Sequence, residues 1–414
     1  MSAGPTTDVT ERGDALADQS SDPGELLAWF RRMRAASPVA FDEKAGVWLV
    51  FGHADTARVL GDPAVFSSDF SAITPAQEDI DLFIRGNFLR KDPPQHRKLR
   101  TLVSAAFTPR MVAELAPRIA AITDDLLDGM RRAEEVELVS AFAAPLPITV
   151  IAELLGIPVG DRDVFRRWAD ALVAPESQTS FIPNEQRMRS MAAVMKEMNA
   201  YCLDLIRARR AAPRDDLTSG LLAAEVDGQR LADEEIVGFV DLLILAGHVT
   251  TTVLLGNAVL TLHENPDATA ALRADPGLLP AAIEEVLRMR APLAPSVRRT
   301  TREVELGGRR VPAGQMVLTW LAAANRDEAV FADPDRFDLD RRPNPHLSFG
   351  HGIHFCLGAP LARLEARIAL EAMLRRWRGL SAGPGVEFHD PRGIFGVKRL
   401  PLRLEWEPGH EEGR

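Results

Sequence analysis

Phe349-Gly350-His351-Gly352-Ile353-His354-Phe355-Cys356-Leu357-Gly358 is followed at once by a helical pattern opening near Pro360. A cysteine just ahead of a helix N-terminus has its thiolate favoured by the helix dipole and by free backbone N–H groups, the condition a metal-ligating sulfur needs. Gly350, Gly352 and Gly358 permit tight turns and close backbone approach, so a flat cofactor can lie against the loop. The same stretch also reads as a buried structural thiol in a glycine-rich loop. A zinc site from His351, His354 and Cys356 is a weaker reading, because structural zinc sites gather Cys and His ligands in recognisable pairs and no further pair stands nearby.

Around this loop lie 414 residues, 46% hydrophobic and 26% charged, enough apolar material for a large core. Acidic residues outnumber basic ones, 59 against 49, and the formal net charge of −10 repels a phosphate backbone, so no nucleic-acid partner is expected. The two cysteines, Cys202 and Cys356, supply neither a disulfide framework nor a four-cysteine iron-sulfur cluster. A reducing cytoplasm is expected, with electrons brought by another protein. Met1 to Asp22 is polar, without the basic and apolar regions of a signal peptide, so secretion is not expected.

Ile236 to Leu262 is apolar and long enough to cross a bilayer. Asp241, His248 and Asn257 interrupt it, and Asp233, Glu234 and Glu235 read as the cap and first turn of a soluble helix. A helix from Asp233 to Glu264, stopped by Asn265-Pro266, is therefore expected at the centre of the molecule, roughly 45 Å long at about 1.5 Å per residue. No membrane is expected.

Apolar residues at i, i+3 and i+4 also predict helices over Pro109–Met130, Gly160–Val173, Glu185–Arg210, Leu278–Arg290 and Pro360–Trp377. Short strands are predicted at Val47–Phe51, Val304–Leu306, Met316–Trp320 and Leu400–Trp406. The expected fold is mainly α with small β-sheets. With no repeat or linker, one domain is expected over residues 23–407, between polar tails at 1–22 and 408–414.

The quoted loop resembles the cysteine-loop signature of the cytochromes P-450, F-x-x-G-x-H/R-x-C-x-G, at every defined position. Ala324-Asn325-Arg326-Asp327, Asp333-Pro334-Asp335-Arg336-Phe337 and Leu361-Ala362-Arg363-Leu364-Glu365 are similar to soluble bacterial members, and the resemblance runs from about Glu25 to Trp406, weakest between Ala174 and Glu185. It implies the family fold, with a long helix over a haem b whose iron takes Cys356 as its ligand, and Phe349, Gly350 and Gly358 shaping the loop beneath. His96 and Arg100, one turn apart, look like the H-x-x-x-R that grips the haem propionates, joined by Arg298 and His354; cations suit two otherwise unpaired carboxylates. Alone, the His96 and Arg100 pair reads as a solvated face.

Ala246-Gly247-His248-Val249-Thr250-Thr251 looks like the family's A-G-x-D/E-T oxygen-activation motif. In that reading Ala246 and Gly247 let the helix pass close over the haem and Thr250 helps place a proton-supplying water. The same residues also read as a helix-packing Ala-Gly pair and a threonine bonded back to its own helix. Val249 departs from the pattern, which has an acid there, and puts the usual proton relay in doubt. Glu285-Val286-Leu287-Arg288 is similar to the family's E-x-x-R, and Arg336 matches the arginine that completes that buried network.

The resemblance implies a monooxygenase that activates O2 and hydroxylates or epoxidises a small hydrophobic substrate, in secondary-metabolite tailoring. Electrons would come from NAD(P)H through a ferredoxin or flavodoxin system; a peroxide-driven peroxygenase and a catalytically silent helper are the alternatives. Substrate contacts are expected from Phe66 to Asn87, Ala174 to Glu185, Leu242, Leu245, Ala294, Ile394 and Phe395.

Overall fold

Asp233–Glu264 is one unbroken helix of 32 residues, buried along almost its whole length. Its start is fixed by Glu235, whose carboxylate accepts from the Ala232 N–H at 2.9 Å, and its end by Asn265 before Pro266, which cannot continue the ladder. The structure, a computed structural model, describes residues 16, 19–71, 78–131, 133, 135–173 and 185–407. Helices Glu78–Gly86, Pro145–Leu154, Glu185–Ala211, Leu279–Met289 and Ala359–Arg376 all pack against the central helix. An apolar helix so surrounded needs no amphipathic stripe. Of its most apolar 18-residue window 67% is buried inside the fold, although by length and composition it could cross a membrane.

The predicted Pro109–Met130 helix is two, Pro109–Glu114 and Ala116–Met130. Pro117 in the first turn of the second has no N–H to join a longer ladder, so the axis breaks at Leu115. The other predicted helices stand within one or two residues of their expected ends.

A sheet of 5 strands runs in the order Val39–Asp42, Val47–Val50, Met316–Trp320, Pro295–Thr300, Phe66–Ser67, with only the Val47–Val50 to Met316–Trp320 pairing parallel. Behind it Trp29, Phe30, Phe51 and Trp320 form an aromatic cluster, Trp29 meeting Trp320 edge-on at 5.9 Å. Leu16 belongs to this cluster and its N–H donates to Asp42 at 2.7 Å. Within the expected polar tail over 1–22 this one apolar side chain is thus docked on the core.

The run from Asn325 to Asn344, which leads to the cysteine loop, has little regular structure and is held by a buried carboxylate instead. Glu285, with no exposed side-chain surface, receives Arg288 through two bonds of 2.8 Å, Arg341 Nε at 2.9 Å, the Asp338 N–H at 3.1 Å and Asn344 Nδ2 at 3.1 Å. Arg288 in turn donates to the carbonyls of Asn325, Pro334 and Arg336. The cation that completes the network is thus Arg341, not Arg336. Arg336 is exposed and contributes only its carbonyl.

Removing one partner of a buried charge network leaves the rest uncompensated. Arg341→Ala is therefore expected to lower stability by about 3 kcal/mol, and Arg336→Ala by less than about 0.5 kcal/mol, in chemical unfolding of the two variants beside the parent.

Candidate active site

The cysteine loop turns on Gly350 and Gly352, at φ +75 and +70, values that L side chains resist. Gly352 also lies against the end of helix His53–Gly61, where an added Cβ would stand 2.9 Å from the Gly61 Cα. The Cys356 N–H closes the loop on the Phe349 carbonyl at 2.8 Å. The N–H groups of Gly358 and Ala359 are directed at the sulfur as expected of a helix start. Yet burial dominates and pushes the Cys356 thiol above its usual value, against those N–H groups and the charges of Arg100 and Arg363. Burial thus opposes the thiolate that the helix start favours, and a cation bound at the sulfur would act with the N–H groups.

Beside the loop four basic side chains converge. His96 and Arg100 project from helix Gln95–Ala106, Arg298 from strand Pro295–Thr300, and His354 from the loop itself. The His96 and His354 rings meet edge to face with centroids 4.5 Å apart. Arg100 donates to the Phe355 carbonyl at 2.9 Å, and Arg298 to Ser296 Oγ at 3.1 Å and the Val297 carbonyl at 2.8 Å. His96 Nε2, Arg100 Nη1 and both ring nitrogens of His354 are buried without a partner. Burial, then the charges of Arg298, His96 and Arg100, press His354 down to about 3, and burial takes Arg298 down to about 10. Buried polar atoms without partners, set beside two guanidiniums, are satisfied when anions occupy the site. Two carboxylates on the rim of a flat group whose metal meets Cys356 fit this set, so these residues suit a haem. Among the described residues no three His, Cys, Asp or Glu side chains gather to hold a metal ion, and His351 is exposed over Gly61, which removes the zinc reading.

On the central helix the Ala-Gly pair divides. Ala246 is accessible, whereas a Cβ on Gly247 would meet Ile151 Cδ1 at 2.5 Å, so Gly247 serves the crossing with helix Pro145–Leu154 and not the space over the loop. One residue turns a helix by about 100°, so neighbours cannot share a face. Thr250 Oγ1 donates to the Ala246 carbonyl at 2.7 Å. Val249 and Thr250 are half-buried.

Leu242 is buried and Leu245 partly so. Ala294 and Phe395, expected at the substrate, are instead buried in the Trp29 and Trp320 cluster. Ile394, also expected at the substrate, is partly exposed and pairs in an isolated bridge with Leu293, which is 46% exposed. Expected contacts within 72–77 and 174–184 lie outside the described residues.

Sequence reasoning missed Glu284. It accepts Arg363 Nε and Nη2 at 2.7 Å each and meets His346 Nε2 at 3.0 Å. Burial would raise it, but these bonds hold it at about 2. Arg363 lies over the Phe349 ring at 4.5 Å, with its charge felt at Cys356. A Glu beside the E-x-x-R and a basic residue on the next helix are the only traces this pair leaves in sequence.

The family model described as Cytochrome P450 matches residues 41–406. The chain is 45% identical to the cyclomarin C epoxidase CymV of Salinispora arenicola, over 92% of its own length and 97% of that protein. It is also 45% identical to the erythromycin C-12 hydroxylase of Saccharopolyspora erythraea, over 92% and 95%. A solved structure of a mutant of P450 EryK in complex with erythromycin B superposes with a TM-score of 0.86 at 43% identity, covering 96% of this chain and 100% of that one. Ligand-free P450 TbtJ1 gives 0.84 at 46%, covering 92% and 97%. With sequence, fold and a haem-shaped set of donors in agreement, the chain belongs to the cytochrome P450 family and is a monooxygenase of that family.

Proposed function

We propose that Cys356 ligates the haem iron and that this monooxygenase hydroxylates or epoxidises a hydrophobic natural product of polyketide or peptide type in the cytoplasm. The observation that carries the haem assignment is the set of buried unpartnered donors on His96, Arg100 and His354 facing the Cys356 loop. The relatives that epoxidise cyclomarin C and hydroxylate erythromycin support the substrate class. A thiolate-bound haem activates dioxygen once supplied with two electrons and two protons. The chain's own part is to hold the thiolate, neutralise the propionates, exclude water and deliver protons.

The electrons come from NAD(P)H through a separate ferredoxin or flavodoxin. Of the cations that a basic docking face would need, Arg100 is turned inward and Arg363 is paired with Glu284, which leaves exposed Arg97 as the better candidate. Arg363 instead sets the charge beside the sulfur, and Glu284 sets Arg363.

Protons are the harder supply. Val249 can neither carry one nor anchor water, and the Thr250 hydroxyl hydrogen rests on the Ala246 carbonyl. Thr250 is first an acceptor, and the proton it passes on has to reach it from ordered water or a hydroxyl of the substrate.

The reduced protein with carbon monoxide is expected to show the strongly red-shifted band of thiolate-ligated haem, and Cys356→His to abolish it; a globin-like spectrum of the parent would refute the assignment. Glu284→Gln leaves Arg363 unopposed and is expected to raise the haem reduction potential. Arg363→Gln leaves Glu284 unopposed and is expected to lower it, each by on the order of 1 kcal/mol. Equal signs in potentiometric titration would mean a merely structural pair. Product formed per NADPH is expected to be high for substrates with a hydroxyl near Thr250 and low for apolar analogues. Val249→Glu should rescue the analogues, and Thr250→Ala should lower coupling about tenfold. Tight coupling of the parent on an apolar substrate, unchanged in Thr250→Ala, would overturn this route.

A further inference from the structure

Between helices Glu78–Gly86 and Gln95–Ala106 the chain makes one short turn, Phe88–Arg90. Its first residue is anchored: Phe88 is buried, stacked on Phe239 of the central helix at 6.2 Å and edge-on to His96 at 5.9 Å. Asn87 Oδ1 caps the Leu89 N–H at 3.0 Å. With the backbone so fixed, Leu89 and Arg90 are left accessible.

The Arg90 guanidinium lies 5.0 Å from the centroid of the Phe70 ring. Phe70 follows Ser67, which pairs with Arg299 next to Arg298, and Phe88 in the same turn meets His96, so Arg90 stands close to the basic residues assigned above to the propionates. Arg90 is exposed, and partial burial lowers its pKa from the usual guanidinium value.

No carboxylate among the described residues pairs with it. The two acids nearby in sequence to this contact are engaged: Asp92 accepts from Ser67 Oγ and from the Ser68 N–H at 2.9 Å, and Asp69 accepts from the Ser71 N–H at 2.8 Å. Arg100 and Arg298 already match two propionates, so Arg90 is a third guanidinium at the rim. The ring contact with Phe70 uses none of the guanidinium N–H groups, which form a fork that fits a carboxylate through two parallel bonds. In residues 85–100 Lys98 is paired with Glu235 and Arg100 is turned to the Phe355 carbonyl, which leaves Arg85, Arg90, Lys91 and Arg97 against Asp92, in a chain of net charge −10. Such local reversal of sign draws anions toward this edge.

We propose that Arg90 is an anion-recognising residue beside the haem hollow and that the natural substrate carries a carboxylate or similar small anionic group held there. The proposal rests on the monooxygenase reading above and names the substrate class within it.

The test uses the haem-loaded protein and three probes of equal chain length: dodecanoate, 1-dodecanol and dodecyltrimethylammonium, whose quaternary nitrogen cannot ligate iron. Binding is read from the haem absorbance change. The parent is expected to bind dodecanoate about tenfold more tightly than dodecanol, with the cation weakest. In Arg90→Gln the preference should shrink to within about twofold, and in Arg90→Glu the order should reverse, with dodecanol affinity and haem content unchanged in both. An Arg90→Glu protein that still prefers dodecanoate overturns the proposal. So does an Arg90→Gln protein that loses haem, which would assign Arg90 to a propionate. The carbon monoxide band of the same samples reports on the enzyme reading alone. Its presence together with equal affinities of the parent for all three probes, or no binding of any, overturns the anion site and leaves the monooxygenase standing.

Discussion

A carboxylate without solvent, Glu285, fixes the irregular backbone on which the cysteine loop hangs. Arg288 and Arg341 neutralise it and then extend the hold, Arg288 to the carbonyls of Asn325, Pro334 and Arg336, Arg341 to those of Ala332 and Asp333. From Asn325 the bonding continues: its side chain donates to Ser348 Oγ at 2.8 Å and accepts the Leu347 N–H at 2.7 Å, while Ser348 Oγ returns to the Leu287 carbonyl at 2.6 Å. The next residue is Phe349, where the loop begins. A buried ion network of this kind adds little net stability over apolar residues of the same volume, since desolvation opposes the Coulomb gain. Its use here is to give one conformation to a run of backbone that has no ladder of its own.

Charge around the sulfur is arranged in two tiers. Beneath it, Glu284 and Arg363 form a pair that is neutral as a whole, with the positive end over Phe349. Above it, Arg100 and Arg298 face the hollow beside two histidines, His354 being held down at about 3 and so neutral at ordinary pH. The upper tier is left short of anions by the protein, and the lower tier is not. That contrast separates a site awaiting a charged ligand from a structural ion pair better than either set of residues does alone.

What was legible in the sequence was what is periodic or contiguous. The central helix, the cap of acids at its start, the E-x-x-R pair one turn apart and the ten-residue cysteine loop are each local, and each stands where the sequence implies. Arg341 was missed because it reaches Glu285 from irregular backbone, where spacing carries no geometric meaning. Ala294 and Phe395 are buried in the aromatic cluster while Leu293 and Ile394 beside them are more accessible, because neighbouring residues of extended chain face opposite sides, and a short segment without a clear period does not say which. Leu16 could not be foreseen, since a lone apolar residue in a polar stretch has no period, and only the finished pocket selects it.

The central helix is as instructive for the acids it lacks as for the threonine it carries. Its acidic residues are Asp233, Glu234 and Glu235 in the first turn, Glu264 at the last position, and Asp241. Asp241 is turned to helix Glu185–Ala211, where it accepts the Cys202 thiol at 3.4 Å, and burial raises it to about 8, so it is a neutral packing group near pH 7 and not a source of protons for Thr250. Gly247 is committed to Ile151, Val249 is inert, and His248, Thr251 and Thr252 are buried, which leaves half-buried Thr250 beside accessible Ala246, its hydroxyl already bonded back to the helix. A proton for oxygen chemistry, on the proposed reading, reaches Thr250 from water or from the substrate. On the proposed reading the substrate meets two polar requirements, an anionic group for Arg90 and a hydroxyl or a retained water at Thr250, and apolar burial alone selects against molecules that offer neither. Selectivity then arises from polar groups left unpaired by the wrong substrate, which discriminate more sharply than the fit of a hydrophobic wall.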